Sequence, residues 1–351
     1  MPIDGLGDAV AVTRKARGLT QAELAQAIGV TQTTVNRYEA GERAPDDATI
    51  AALAGALGVT ERLLRRGGRF SGALAVDTHM RRQRTTKASV WRRMEARLNM
   101  LRMHASFLFE EVSMVAQQQV PTFDADFTRP EDAARLVRAQ WRMAVGPVTN
   151  LTRWLEAAGC LVFEEDFGTR RVDGLSQWVG DHPVILLNVD AAPDRKRLTV
   201  AHELGHLVLH SSEPNEDMEN QASAFAAEFL MPEVVIKPEL RHLSLGGLVD
   251  LKREWGVSIH ALLERAYGLG LLTATGRASY YKSLNARGWR ANEPGSDSLP
   301  MERPALAAHI ADSLRVKGFT AEQIAEAAGY TAVQDNPFRP AQPHLSVVGR
   351  G

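Results

Sequence analysis

His202 and His206 stand four residues apart in the run Arg195-Lys-Arg-Leu-Thr-Val-Ala-His202-Glu203-Leu204-Gly205-His206. On an α-helix this spacing puts both imidazoles on one face, about one turn apart, where they can converge on a tetrahedral zinc ion. Glu203 lies ~100° around the helix from His202. There it would meet a water beside the metal rather than the metal itself. Zinc pulls the pKa of such a water toward ~7, and a carboxylate at that position can accept the proton.

A third ligand is needed. Glu219 opens the stretch Glu219-Asn-Gln-Ala-Ser-Ala-Phe-Ala226, in which Glu219, Ala222, Ser223 and Ala226 share a helix face. The small residues on that face would let this helix approach the histidine helix closely. Glu228 is nine positions further and about 180° around, so the two glutamates cannot both face one ion. His210, one turn beyond His206, is the competing donor. The three-histidine pattern normally has a glycine bend and wider spacing, so Glu219 is the preferred third ligand. One zinc ion per chain is expected.

A second group of residues suits DNA. In Gly18–Gly29, Thr20 can cap a helix, with Glu23 three residues on as a capping box. Leu24 and Ile28 fall on one face, and Gly29 closes the helix. Thr31 then caps a helix over 32–39 in which Val35 and Tyr38 face inward and Gln32, Thr33, Asn36 and Arg37 face outward. Guanidinium groups suit guanine, and amides suit adenine. Ile50, Leu53, Ala54 and Leu57 give a closing amphipathic helix.

These residues carry two resemblances. A continuous run of ~55 residues within the head resembles helix-turn-helix domains of the phage-repressor (XRE) type. That resemblance implies that the second helix enters the major groove, with Gln32, Thr33 and Arg37 as base readers, Asn36 on the same outward face, and Gln21 against a phosphate. The histidine run, with Glu219-x-x-Ala-x-x-Phe-Ala-Ala-Glu-Phe-Leu-Met-Pro232, resembles the ImmA/IrrE metallopeptidase family over residues 131–272. The resemblance implies a zincin-like fold, His202, His206 and Glu219 as metal ligands, and Glu203 as general base. It also implies a zinc protease that cuts, or otherwise relieves, repressors of the same helix-turn-helix type. Leu198 stands where the family commonly has phenylalanine. A DNA-binding head on the same chain departs from the simplest members.

The elements that must position these groups follow from pattern and composition. The expected class is mostly α with a small β-sheet (α+β). Its parts are a helix-turn-helix domain over 1–68, a basic segment and long linking helix over 69–120, a metallopeptidase domain over 121–282, and a small helical appendage and tail over 283–351. The long helix carries apolar residues at Trp91, Met94, Leu98, Leu101, Ala105, Leu108, Val112 and Val115, a heptad seam over 88–118. Phe107, Phe109, Met100 and Met114 lie off it, so pairing in a dimer and packing within the chain both remain open. Further helices are expected over 131–144, from Pro147 to near Gly159, and over 195–211, 217–230, 245–255, 258–268 and twice within 303–328. Strands are expected at 160–163 and 184–189, the latter a candidate peptide-binding edge. Residues 285–300 read as a loop. Residues 318–330 imitate the first half of a helix-turn-helix, but no internal repeat stands out.

The net charge of −1 hides an asymmetry: residues 61–105 hold twelve Lys and Arg against three Asp and Glu, which suits phosphate contact or a solvated helix face. No stretch approaches the ~20 apolar residues of a membrane span, no secretory signal is visible, and the single cysteine, Cys160, fits a reducing cytoplasm. The expected function is a cytoplasmic transcription regulator. It would bind a double-stranded operator as a homodimer and use a zinc endopeptidase on a protein substrate, such as a repressor of its own helix-turn-helix type. The alternative is a DNA-binding repressor whose metal domain is a non-proteolytic sensor or scaffold. For a transition-state oxyanion donor, His260, Arg265 and Tyr267 are candidates without a preference among them.

Overall fold

Capping chemistry sets the first helices. In the computed structural model, which describes residues 5–66, 88–210, 217–290 and 292–340, they are α1 (Leu6–Ala16), α2 (Gln21–Ile28), α3 (Gln32–Glu39), α4 (Asp47–Leu57) and α5 (Glu61–Arg66). Thr20 and Glu23 close the expected capping box on α2, Thr31 caps α3, and Asp46 caps α4. Gly29 ends α2 in the left-handed region, at φ 71°, where a side chain would be strained. Leu24, Val35, Ile50, Leu53 and Leu57 are fully buried between the helices. A bidentate ion pair from Arg14 on α1 to Glu39 at the end of α3 ties the bundle together.

The next helix, α6 (Ala88–Glu111), corrects the heptad reading. It stops before Val112, and Val115 is 91% exposed. Burial spreads to Met100, Met103 and Phe107, off the seam, so the helix is buried within its own chain rather than along one stripe. Two compact units divide the chain. Residues up to Leu98 of α6 fall in the second unit, and Asn99 onward in the first.

The second unit continues with α7 (Pro130–Gln140), α8 (Leu151–Ala157), β1 (Leu161–Glu165), β2 (Gly174–Val179), β3 (His182–Asn188), α9 (Pro193–Leu209) and α10 (Met218–Leu230). The chain then forms α11 (Glu233–Glu239), α12 (Leu245–Trp255), α13 (Ile259–Gly268) and α14 (Ala274–Ala286). Asn150 caps α8, so that helix begins four residues after the expected Pro147. The sheet order is β1-β3-β2, with β1 parallel and β2 antiparallel to β3. The apolar strand expected as an edge is therefore the central one, buried at nearly every position, as suits a strand covered on both faces. The edge beside α9 is β2, which its polar Ser176 and Gln177 had disguised. α9 carries the histidine motif through the main core with α7, α10 and the sheet packed on it. α12 and α13 contribute Leu248, Trp255, Ile259 and Leu262 to that same core.

The last helices, α15 (Leu306–Val316) and α16 (Ala321–Ala327), belong to the first unit. They repeat α1 and α2 three hundred residues later. Thr320 and Gln323 form a capping box like that of Thr20 and Glu23. Gly318 and Gly329 take left-handed φ values of 93° and 83°, against 74° and 71° at Gly18 and Gly29. An internal repeat is thus present, and it stops before a reading helix: a short 3-10 turn, Val333–Asp335, follows. The repeat docks on the head through Thr60 N–H donating to Gly329 O (2.9 Å), a β-bridge between Val59 and Tyr330, and an Arg17–Asp335 ion pair at 2.9 Å.

Candidate functional site

α9 and α10 cross closely enough to bring three ligand-type groups together. A Cβ added at Gly205 would lie 3.1 Å from both Cα and O of Ala222 and 3.2 Å from a Phe225 ring carbon. The absence of a side chain there, opposite the small face of α10, is what permits the approach. His202 Nε2 and His206 Nε2 are 3.1 Å apart. The Glu219 carboxylate places Oε2 3.4 Å from His202 Nε2 and Oε1 3.4 Å from His206 Nε2, one oxygen facing each ring. With zinc–nitrogen and zinc–oxygen bonds of about 2.0–2.2 Å, tetrahedral ligands sit roughly 3.3–3.4 Å from one another, and the separations here are of that order. Both histidines are buried, while the Glu219 side chain keeps 44% of its surface exposed, which leaves the triangle open on the carboxylate side. Among the described residues no other cluster of His, Cys, Asp and Glu has this convergence. Burial opposes ionisation of Glu219, but hydrogen bonds and charge from His202 and His206 outweigh it and hold the carboxyl well below its ordinary range. Burial likewise opposes protonation of His206 and pushes it below the ordinary imidazole value.

Glu203 sits one residue from this cluster and outside it. It is buried, and one carboxylate oxygen accepts the Ser176 hydroxyl of β2 at 2.6 Å. Sequence reading missed Ser176, because only the fold brings β2 against α9. His210, the competing ligand, lies behind His206 instead: its Nδ1 is 3.1 Å from His206 Nδ1, and its Nε2 is 2.8 Å from Gln221 Oε1 of α10. Ser223 Oγ is 3.3 Å from His202 Nδ1. Gln221 and Ser223 were also missed as partners, although both flank the predicted ligand on one short helix.

The three oxyanion candidates are engaged elsewhere. Arg265 pairs with Glu228 and donates to Met231 O, His260 bonds Glu293, and Tyr267 lies under the Arg277 guanidinium.

These features lie within a stretch with known relatives. Residues 155–267 match the IrrE N-terminal-like domain family. The radiation response metalloprotease IrrE of Deinococcus radiodurans is 34% identical over 99 residues, a match covering 24% of this chain. The chain spans 30% of the length of that curated relative. The IrrE-like domain contains all three members of the donor triangle as well as Glu203. Residues 13–64 match the helix-turn-helix family, so the chain joins a DNA-binding type of head to a metallopeptidase-like domain.

On the head, Gln32, Thr33, Asn36 and Arg37 are all exposed on α3. Gln21 donates to Glu39 at 2.8 Å and to Asn36 at 3.3 Å, joining the start of α2 to the outward face of α3. Gly7 sets the seating of α3, because a Cβ there would fall 2.5 Å from Tyr38 O and 2.7 Å from Glu39 O. The heart of the basic segment, residues 67–87, lies outside the described residues. At its margins Arg62 pairs with Glu111, Arg65 with Asp47, Arg66 with Glu110 and Arg97 with Glu165, so these arginines are structural ion pairs. No helix among the described residues is long and apolar enough to cross a membrane.

Proposed function

We propose that this protein is a DNA-binding transcription regulator whose IrrE-like domain is a zinc-dependent endopeptidase. His202, His206 and Glu219 hold one zinc ion, and Glu203 is the general base. The single observation that supports this reading most is the triangle of two imidazole nitrogens and a carboxylate at 3.1–3.4 Å, in a buried setting with Glu203 beside it. Two bare ring nitrogens facing each other at 3.1 Å repel unless a cation or a proton lies between them. Zinc in such a site supplies Lewis acidity to a peptide carbonyl and to a water.

The protein's own groups do the rest. Ser176 donates to one Glu203 oxygen at 2.6 Å and steadies the carboxylate, which takes a proton from the attacking water. Glu203 then passes that proton to the departing amine, and peptide plus water become an acid and an amine. β2, the edge strand beside α9, is the element along which an extended substrate backbone would align. The head binds a double-stranded operator through Gln32, Thr33, Asn36 and Arg37, with Gln21 at a phosphate, as one half of a homodimer. The substrate is a protein, a repressor of the same helix-turn-helix type, and its cleavage relieves repression. A DNA partner and an undisulfided Cys160 suit work in the cytoplasm.

Glu203→Gln is the deciding variant. It should retain about one zinc per chain by elemental analysis while cleavage of the repressor ceases. Unaltered regulatory output in that variant would overturn the peptidase reading. Separately, Gln32→Ala with Arg37→Ala should abolish salt-dependent operator binding and leave zinc content unchanged.

A further inference from the structure

We infer that His210 and Gln221 are positioning residues, a two-step hydrogen-bond relay that fixes which nitrogen of His206 is offered to the metal. This rests on reading the His202–His206–Glu219 triangle as a metal site.

The argument runs through proton positions. His206 turns Nε2 toward His202 and Glu219, and Nδ1 toward His210. A neutral imidazole carries one N–H, so a metal on Nε2 requires the proton to be on Nδ1. That proton needs an acceptor, and the atom 3.1 Å away is His210 Nδ1. His210 can accept there only if its own proton is on Nε2. At 2.8 Å from that atom stands Gln221 Oε1, a carbonyl oxygen that can only accept. Every link therefore points the same way: His206 Nδ1–H to His210 Nδ1, then His210 Nε2–H to Gln221. The opposite amide orientation would donate to His210 Nε2, reverse both tautomers and set a proton where the metal must bind.

The relay also ties ligand chemistry to helix docking. Gln221 is two residues past Glu219 on α10, while His206 and His210 belong to α9 and its C-terminal end. The helix that supplies the third ligand thus also selects the tautomer of the second. Among the described residues His202 has no such device. Its neighbour, the Ser223 hydroxyl at 3.3 Å, can donate or accept and so imposes no tautomer. Outer partners of metal-bound histidines typically govern 10- to 100-fold in metal affinity.

The test uses the full-length chain and zinc itself, with affinity measured by competition against a chromogenic chelator. His210→Leu and Gln221→Leu should each weaken zinc binding by about 10- to 100-fold. His210→Asn, whose carbonyl can still accept from His206, and Gln221→Glu, which still accepts from His210, should stay within about threefold. Long-range nitrogen-15 spectra of the zinc-loaded protein should find His206 protonated at Nδ1 and His210 at Nε2. Wild-type affinity in both leucine variants, or a proton on His210 Nδ1, would overturn the relay while leaving the metal site standing. Failure of the wild-type chain to bind zinc would overturn the metal site and the relay with it. Should His210→Leu not fold, the Gln221→Leu and Gln221→Glu pair decides, since equal affinities in those two would equally overturn the relay.

Discussion

At the scale of single residues, the site depends as much on a missing side chain as on the ligands. Alanine is a better helix former than glycine by about 1 kcal/mol, so Gly205→Ala in an uncrowded helix would stabilise. Here the added methyl would meet the Ala222 backbone at 3.1 Å, and backbone cannot swing aside. The sign should reverse, with a net loss of about 1–3 kcal/mol from overpacking and weaker zinc binding as α9 and α10 are wedged apart. Thermal melts and chelator competition on Gly205→Ala check both effects, and a raised melting temperature would show that the helix contact is not limiting. Gly7→Ala carries the same logic into the head: its Cβ would lie 2.5 Å from Tyr38 O, so operator affinity should fall with stability. The convergence of His202, His206 and Glu219 was legible from spacing, because each announces its direction through local helix geometry. Ser176, Gln221 and the true place of His210 were not, because each is defined by an atom on another element.

At the scale of elements, what holds α9 is a buried charge cluster at its first turn. Lys252 of α12 is fully buried, with Asp194 of α9 at 2.6 Å, Glu293 at 2.8 Å and Ser296 Oγ at 2.7 Å. Glu293 also accepts the backbone N–H groups of Ile259 and His260 at the start of α13. Burial opposes its ionisation, but bonds from His260, Lys252 and the Ile259 N–H outweigh that and hold its pKa down to about 2, below the usual 4.5. A carboxyl depressed on folding stabilises the protein above its unfolded pKa. The benefit is lost as pH falls through the folded value. Stability should therefore drop between about pH 5 and pH 2, by up to about 3 kcal/mol from this group. Urea titrations across that range should show a shallower pH slope in Glu293→Gln, at lower stability near neutrality because Lys252 loses one of its two acids. An unchanged slope would remove Glu293 as the source. The loop reading of 285–300 concealed this strap because its partners are tens of residues away. Strand order was hidden for the same reason: β3 announced itself by its apolar run, yet only pairing could reveal it as central and β2 as the edge.

At the scale of the whole molecule, the chain closes its DNA-binding unit with a partial copy of that unit's own beginning. α15 and α16 reproduce the helices, the cap and the turn glycines of α1 and α2 but lack a counterpart of α3, so the copy can support the head without reading DNA. The motif at 318–330 was visible in the sequence, but not its docking, which runs through backbone groups and glycine. Gly329, at φ 83°, has Leu63 so near that a Cβ would fall 2.6 Å from its side chain. Leu63 and Val59 are fully buried. Deleting residues 305–351 should uncover both, at about 2 kcal/mol for partial exposure of two such side chains, and lower the melting temperature of the first unit by several degrees. Operator affinity should weaken with it. Zinc affinity should not, because the donor triangle and its supports all belong to the second unit. Gly329→Ala should reproduce the effect on a smaller scale, through a strained left-handed backbone and the clash with Leu63. The measurement is a paired one, operator binding and chelator competition on the same preparations. Loss of both activities together would mean that the two units fold as one cooperative block. Loss of neither would mean that the repeat has no structural hold on the head.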